Sequence, residues 1–416
     1  MSSLLNIKDR LFYGWVVVIV GLIVAIIIAG TMYSFGVFFK PLESEFGLPR
    51  AAISGVYSIS LLLGCLLGAL WGWALDRHGS RVTTLLIGLF AGLGLLVSSQ
   101  ITSIWQLYLS YGLLYAIGAG GVWPIIMAVP SKWFRRKRGL ALGVVGAGGG
   151  LGALIIAPFA TYLISVLNWQ TTFVVLGLIT WAVVIPLSRL FKREPSEIGA
   201  LPNGAKSHSG GMEGQDKEAG TELAGLSLKQ ASKTRSFWFL LASAFLFAMC
   251  FCLMQVHMVP HTTDMGILDM EAARLLGVML LTFPGRVVMG IVSDRMGRKR
   301  VALACSLAIA AVLLLLIWSK DLWMLYLFAV VYAFAAGGFD VCVWAMVGDI
   351  FGLRHIGVLM GAMIAVSWGV GGAIGPVVGG FIFDVSNSYS LAFAIAAAAM
   401  LVAASLMASV RTETNI

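Results

Sequence analysis

Charge is scarce in this chain. Only 11% of its 416 residues are Asp, Glu, Lys or Arg, against roughly 25% in a soluble globular domain. Hydrophobic residues make up 59% and the mean hydropathy is +0.94, so a soluble globular fold is excluded. Cysteine is nearly as rare. The five (Cys65, Cys250, Cys252, Cys305 and Cys342) all fall in apolar runs, and an odd number so placed implies no disulfide framework. Cys250 and Cys252 are two apart, so on a helix they face different sides and make no metal pair. The glycine-rich stretch Gly146 to Gly152 follows no strand and precedes no Lys-Ser/Thr, which excludes a phosphate loop. Its glycines suit close helix approach instead. No metal or cofactor is expected.

What the chain has is apolar runs of about 18 to 27 residues, each long enough at 1.5 Å per residue to cross a hydrocarbon core of roughly 30 Å. There are twelve, at approximately residues 12 to 36, 50 to 75, 82 to 101, 105 to 130, 139 to 162, 169 to 190, 236 to 259, 271 to 293, 301 to 318, 322 to 348, 355 to 382 and 388 to 410. The first is too long for the apolar core of a cleavable signal and is assigned to helix one. The chain is expected to be an all-α membrane protein in a lipid bilayer. Lys and Arg accumulate on the cytoplasmic side. With both termini inside, 23 of the 28 fall in cytoplasmic segments, four (Lys40, Arg50, Arg274 and Lys320) outside, and one, Arg286, in neither. The net charge of +9 is thus a topology signal. It gives no support to nucleic-acid binding, for which scattered short loops make a poor surface.

One long hydrophilic stretch, rich in Gly, Ser, Glu and Lys, divides the chain into an N-terminal six-helix half (1–190), a cytoplasmic linker (191–235) and a C-terminal six-helix half (236–416). The linker is expected to be mostly disordered, with a short interfacial helix or an irregular lead-in at Leu226 to Arg235. The halves share a motif. "GWALDRHGSR" (Gly72 to Arg81) and "GIVSDRMGRK" (Gly290 to Lys299) align without a gap at a constant shift of 218 residues. Internal duplication in a polytopic protein is the signature of an alternating-access carrier, with its substrate between the halves. Gly72 and Gly290 permit close helix contact, Asp76 and Asp294 suit a helix terminus or an arginine, and Gly79 and Gly297 allow a tight turn. This motif resembles the loop between helices two and three of the major facilitator superfamily, Gly-x-x-x-Asp-Arg-x-Gly-x-Arg. The resemblance implies that fold, and a cytoplasmic gate latched by these residues with Arg77, Arg81, Arg295 and Arg298. A merely positive loop would explain the arginines but not a pattern that occurs twice.

Only Arg286 and Asp340 place charge deep within apolar runs, and intramembrane charges mark substrate or ion pathways by default. Their depths, counted from the cytoplasmic ends of helices eight and ten, differ by roughly 5 Å, so the two can face one cavity. A structural ion pair is the alternative reading, although hydrophobic packing would join two helices without desolvating two charges. Arginine suits a carboxylate because its planar fork donates two parallel hydrogen bonds and stays protonated when buried. One arginine with no second intramembrane cation points to a single carboxylate.

At these residues the chain resembles the monocarboxylate transporter family and its bacterial relatives, which include oxalate–formate exchangers. The similar stretches are "FYGWVVV" (Phe12 to Val18), "KWFRRKRGLALGVVGAGGGLG" (Lys132 to Gly152), "HMVPHTTDMGI" (His257 to Ile267) and "RVVMGIVSDRMGRK", in which Arg286 stands at the family's substrate-binding arginine. Animal members carry a lysine where Tyr33 aligns and an aspartate where Thr282 does, so their proton-relay residues do not carry over. Oxalate exchangers pair the arginine with a lysine in helix eleven, and "LMGAMIAVSWGVGGAIGPVVGG" (Leu359 to Gly380) has no charge.

The resemblance implies proton-coupled symport of a small monocarboxylate such as L-lactate or pyruvate, through a monomeric carrier of the bacterial inner membrane. Arg286 is the expected substrate anchor and Asp340 the expected proton carrier, with His257 next. Tyr33, Tyr115, Tyr332 and Ser367, with Trp368, fall at central depth and suit a 2-hydroxyl or a methyl group; helix packing or a lipid-facing position explains each equally well. His257 and His261 lie near the outer end of helix seven, where rim residues are common. Anion exchange of the oxalate–formate type is the second reading and drug–proton antiport the third. A membrane enzyme has little support without an intramembrane His, Cys or Glu constellation, and a non-transporting sensor would accumulate no ligand.

Overall fold

The computed structural model describes residues 13–134, 138–192, 226–319, 321–352 and 356–410. Most of the linker lies outside the described residues. Among the described residues, twelve helical segments are long and apolar enough to cross a membrane. They are α1 (Tyr13–Phe46), α2 (Arg50–Gly68), α3 (Arg77–Ser98), α4 (Ile104–Pro130), α5 (Ala141–Val166), α6 (Trp169–Ser188), α7 (Arg235–Asp264), α8 (Asp269–Met296), α9 (Arg298–Trp318), α10 (Leu322–Phe351), α11 (Val358–Ser386) and α12 (Ser390–Ser409). Long apolar side chains such as Leu66, Leu70, Ile155 and Val385 cover the outside of the bundle, where lipid replaces water. Of the stretch expected to end the linker, only one turn, Leu228–Ala231, is helical, and the Gln230 side chain accepts from the Ser227 N–H at its start.

The six helices of each half meet those of the other chiefly along two seams, α5 against α8 and α2 against α11, with smaller contacts of α1 and α2 with α7. Glycines set the closest approaches. A Cβ at Gly150 would lie 2.6 Å from the Leu280 carbonyl oxygen across the first seam, and one at Gly380 would lie 2.7 Å from the Ala51 nitrogen across the second. Within the N-terminal half, α1 and α5 touch backbone to backbone, because a Cβ at Gly30 would sit 2.6 Å from the Gly152 Cα. With no side chain to yield, one added methyl must push helices apart, and overpacking of this kind costs about 1 to 3 kcal/mol. Gly30→Ala is therefore expected to lower the melting temperature of the detergent-solubilised protein in a thermal-shift assay. A melting temperature equal to wild type would contradict this packing.

Several helices are interrupted. α8 consists of two helices, Asp269–Leu280 and Phe283–Met296, and Leu281 between them leaves helical geometry (φ −77, ψ 65). Pro284 stands in the first turn of the second helix, a position where its missing N–H and fixed φ do no harm. α1 changes to a 3-10 turn at Phe35–Phe38. α5 pauses at Ala147 between Gly146 and Gly148. α4 and α11 contain π-helical stretches, Tyr108–Tyr115 and Ala365–Gly371.

Candidate functional site

Most of these interruptions surround one cavity. It lies between the halves, has a volume of about 400 Å³ including its open mouth, and is lined from both sides. The N-terminal half supplies Tyr33, where the regular part of α1 ends, Trp123 from α4, and Gly146, Gly149 and Gly150 beside the pause in α5. The C-terminal half supplies Phe247 and Phe251 of α7, Leu280, Thr282 and Arg286 at the break in α8, Ala336 and Asp340 of α10, and Trp368 in the π-helical part of α11. Irregular backbone at membrane depth is tolerated where it lines a cavity, and discontinuous helices mark carrier binding sites.

Among the described residues, Arg286 and Asp340 are the two charged side chains on this cavity. Arg286 Nη2 lies 2.9 Å from Asp340 Oδ2, and the other oxygen, Oδ1, accepts from Trp344 Nε1 at 2.8 Å one turn along α10. The indole therefore fixes the carboxylate while the arginine gives it a single contact. Nε of Arg286 is buried without a partner, and among the described residues its one ion pair, to Asp340, is made through Nη2. The guanidinium thus retains donors for a second carboxylate. Close packing builds this corner: a Cβ at Gly337 would lie 2.8 Å from the Arg286 nitrogen and 2.2 Å from the Thr282 oxygen, so α8 and α10 meet backbone to backbone beside the pair.

The other sequence candidates disperse. Tyr33 lines the cavity. Tyr115 is fully buried and its hydroxyl donates to the Ile28 carbonyl at 2.8 Å. Tyr332 is buried between the rings of Phe251 and Phe328, and Ser367 donates to Met363 in its own helix. None of these three lines the cavity. His257 lies far along α7, fully buried, with Nδ1 3.0 Å from Tyr389 Oη and Nε2 2.7 Å from the Pro376 oxygen. Trp123, Phe247 and Phe251 join the site without having been expected there.

The repeated motif forms two equivalent turns. Gly79 and Gly297 both have positive φ, 81° and 91°, which glycine adopts without a Cβ penalty. The expectation of close helix contact at Gly72 and Gly290 is corrected: among the described residues a Cβ at either would meet nothing within 4 Å, because no neighbouring described backbone packs on that face of either helix. The described side chains of the motif bond within their own half. Arg81 donates to Arg189 O, Arg77 lies over the Trp73 ring, and Arg298 binds Asp349 at 2.6 Å and the Ala345 oxygen at 3.0 Å, with Asp294 at 3.9 Å. Arg295 is exposed, and the Asp76 side chain lies outside the described residues. The opposite end is closed by contacts between the halves around Arg50. Among the described residues, contacts join the halves at one end of the central cavity and the motif side chains bond within their own halves at the other, an arrangement that suits a carrier with one central site.

The chain belongs to the major facilitator superfamily, whose family model matches residues 21–283 and 275–415. It is an integral, multi-pass membrane transporter of that fold. Within the superfamily it is similar to monocarboxylate transporter 12 of Xenopus laevis, 24% identical over 94% of this chain and 86% of the relative. Monocarboxylate transporter 13 of Bos taurus is 25% identical over 94% and 87%, and human monocarboxylate transporter 2 is 25% identical over 94% and 84%. The fold also matches a bacterial homolog of the human lysosomal transporter Spinster, solved in an inward-facing and occupied conformation. The TM-score is 0.69 at 15% identity, over 95% of this chain and 96% of that one.

Proposed function

We propose that the protein is a proton-coupled symporter of a small monocarboxylate of the L-lactate or pyruvate type. The observation that carries this reading is the Arg286–Asp340 pair on the cavity between the halves, with the arginine donating once and keeping further donors free. A substrate carboxylate would take those donors, and the rings of Trp123, Phe247, Phe251 and Trp368 would cover its short apolar tail. Tyr33 and Thr282 also line the cavity, and their hydroxyls would suit a 2-hydroxyl or 2-oxo group. Similarity to monocarboxylate transporters supports the same substrate class. The Lys and Arg distribution supports an orientation with both termini in the cytoplasm, which makes the Arg50 end of the bundle the outer one.

Charge balance supplies the coupling. The empty site is neutral as Arg286 with ionised Asp340. When a carboxylate engages the arginine, Asp340 loses part of its counter-charge, and taking up a proton restores neutrality. The neutral forms cross between states more easily than the charged ones. Anion exchange of the oxalate–formate type finds less support, since among the described residues α11 contributes only Trp368 to the cavity and no second cation. Uptake by proteoliposomes of labelled lactate, pyruvate, oxalate and a cationic dye, with and without anion inside, tests the proposal. Monocarboxylates are expected to enter without internal anion and to exceed oxalate and the dye severalfold. An obligatory internal anion would replace symport by exchange.

A further inference from the structure

The densest set of charged side chains in the described structure lies away from the cavity, where α1, α2, α7, α11 and α12 converge at the Arg50 end. Arg50 is only 5% exposed, although it follows directly on an extended Pro49 at the start of α2. Its Nε donates to Glu43 at 2.9 Å, Nη1 to Asp264 at 2.6 Å and to the Tyr389 hydroxyl at 2.9 Å, and Nη2 to Asp264 at 3.2 Å. The guanidinium carbon sits 3.7 Å from the centre of the Phe383 ring. Lys40 adds a second cation to Asp264 at 2.8 Å. Asp384 accepts from the Arg50 and Ala51 backbone N–H groups at 2.8 and 2.9 Å, so a carboxylate of the C-terminal half caps a helix of the N-terminal half.

Most of these bonds cross between the halves. Arg50, Lys40 and the α2 N-terminus belong to one half; Asp264, Phe383, Asp384 and Tyr389 belong to the other. The network has a direction. Arginine only donates, so the Tyr389 oxygen accepts from Arg50 and its own proton is free for His257 Nδ1, while Nε2–H points to the Pro376 oxygen. Burial raises the Tyr389 phenol above its ordinary value against the opposing Arg50 charge, which keeps that proton in place. His257 is in this way a link between the cluster and Pro376 of α11.

We infer that Arg50 is the pin of a latch that holds the outer face of the carrier shut, with Asp264 its principal catch and Asp384 a second one on the α2 backbone. Outward opening has to part Arg50 from Asp264 and strip the Asp384 cap from α2, so the latch biases the resting carrier toward the state open at the opposite end. The inference depends on the contacts between halves and not on which substrate is carried.

Spin labels at Thr102 and Leu268, one on an outer loop of each half, in a background without native cysteines, report the separation by electron–electron resonance in nanodiscs. With the latch intact the short distance should dominate, and the open state should be a minor one of order 1 to 10%. Asp264→Asn and Arg50→Gln should each raise the ratio of open to closed roughly tenfold or more. Glu271→Gln, which breaks an outer ion pair to Arg274 inside one half, should leave the ratio unchanged. Should Arg50→Gln fail to fold, Asp264→Asn decides. An unchanged distribution in a monodisperse Asp264→Asn protein overturns the latch, and so does an equal shift in Glu271→Gln.

Discussion

Arg286→Lys is expected to reduce lactate affinity by about 10- to 150-fold and to leave uptake near background, although the positive charge is kept. The lysine ammonium is a compact point charge and cannot span two carboxylate oxygens while also holding Asp340. Losing one charge-assisted hydrogen bond is worth about 1.5 to 3 kcal/mol, and each 1.4 kcal/mol is about tenfold. Folding should survive, because Arg286 makes a single ion pair and lies partly open to the cavity. Calorimetry on the purified variant checks this. Near wild-type affinity would remove Arg286 from the role of carboxylate anchor.

Asp340→Asn is expected to separate exchange from accumulation. The amide resembles the protonated carboxyl, so the variant should bind lactate and exchange labelled for unlabelled substrate. Its empty form carries +1 in the site, however, and an uncompensated charge within a membrane costs about 2.5 to 3.5 kcal/mol even on the lenient insertion scale. That penalty slows the return of the empty carrier by roughly 70- to 400-fold, enough to abolish accumulation driven by a proton gradient. Counterflow and gradient-driven uptake measured on the same vesicles distinguish the two. Accumulation like that of wild type would place proton coupling elsewhere, and His257 would be the next residue to test.

The fold was legible because its causes are local and repeated. Long apolar runs report spans one at a time, and the two copies of the Gly72 to Arg81 pattern report the duplication. Arg286 and Asp340 stood out for a related reason, as lone charges in apolar surroundings. Helical phase was harder to read. Tyr332 is at a suitable depth but precedes Asp340 by eight residues, which turns it about 80° around the helix, into packing with Phe251 and Phe328. Trp123, Phe247 and Phe251 gave no sign of which way they face, since an aromatic in an apolar run suits lipid, core and cavity alike. The break in α8 had a signal in Pro284 and Gly285, inside a run that otherwise looks continuous. Arg50 had none. A charge at a helix end is ordinary in a loop, and its burial depends on Asp264, Asp384 and Tyr389, more than 200 residues away in the chain.

The central claim, that one proton accompanies one monocarboxylate through a neutral site, is tested most directly by uptake of labelled L-lactate into proteoliposomes whose membrane potential is clamped with valinomycin and potassium. Proton-coupled symport predicts that an acid exterior drives lactate above its equilibrium concentration, and that an imposed potential leaves the initial rate almost unchanged. Uptake that ignores the pH gradient, or that follows the potential instead, would contradict it.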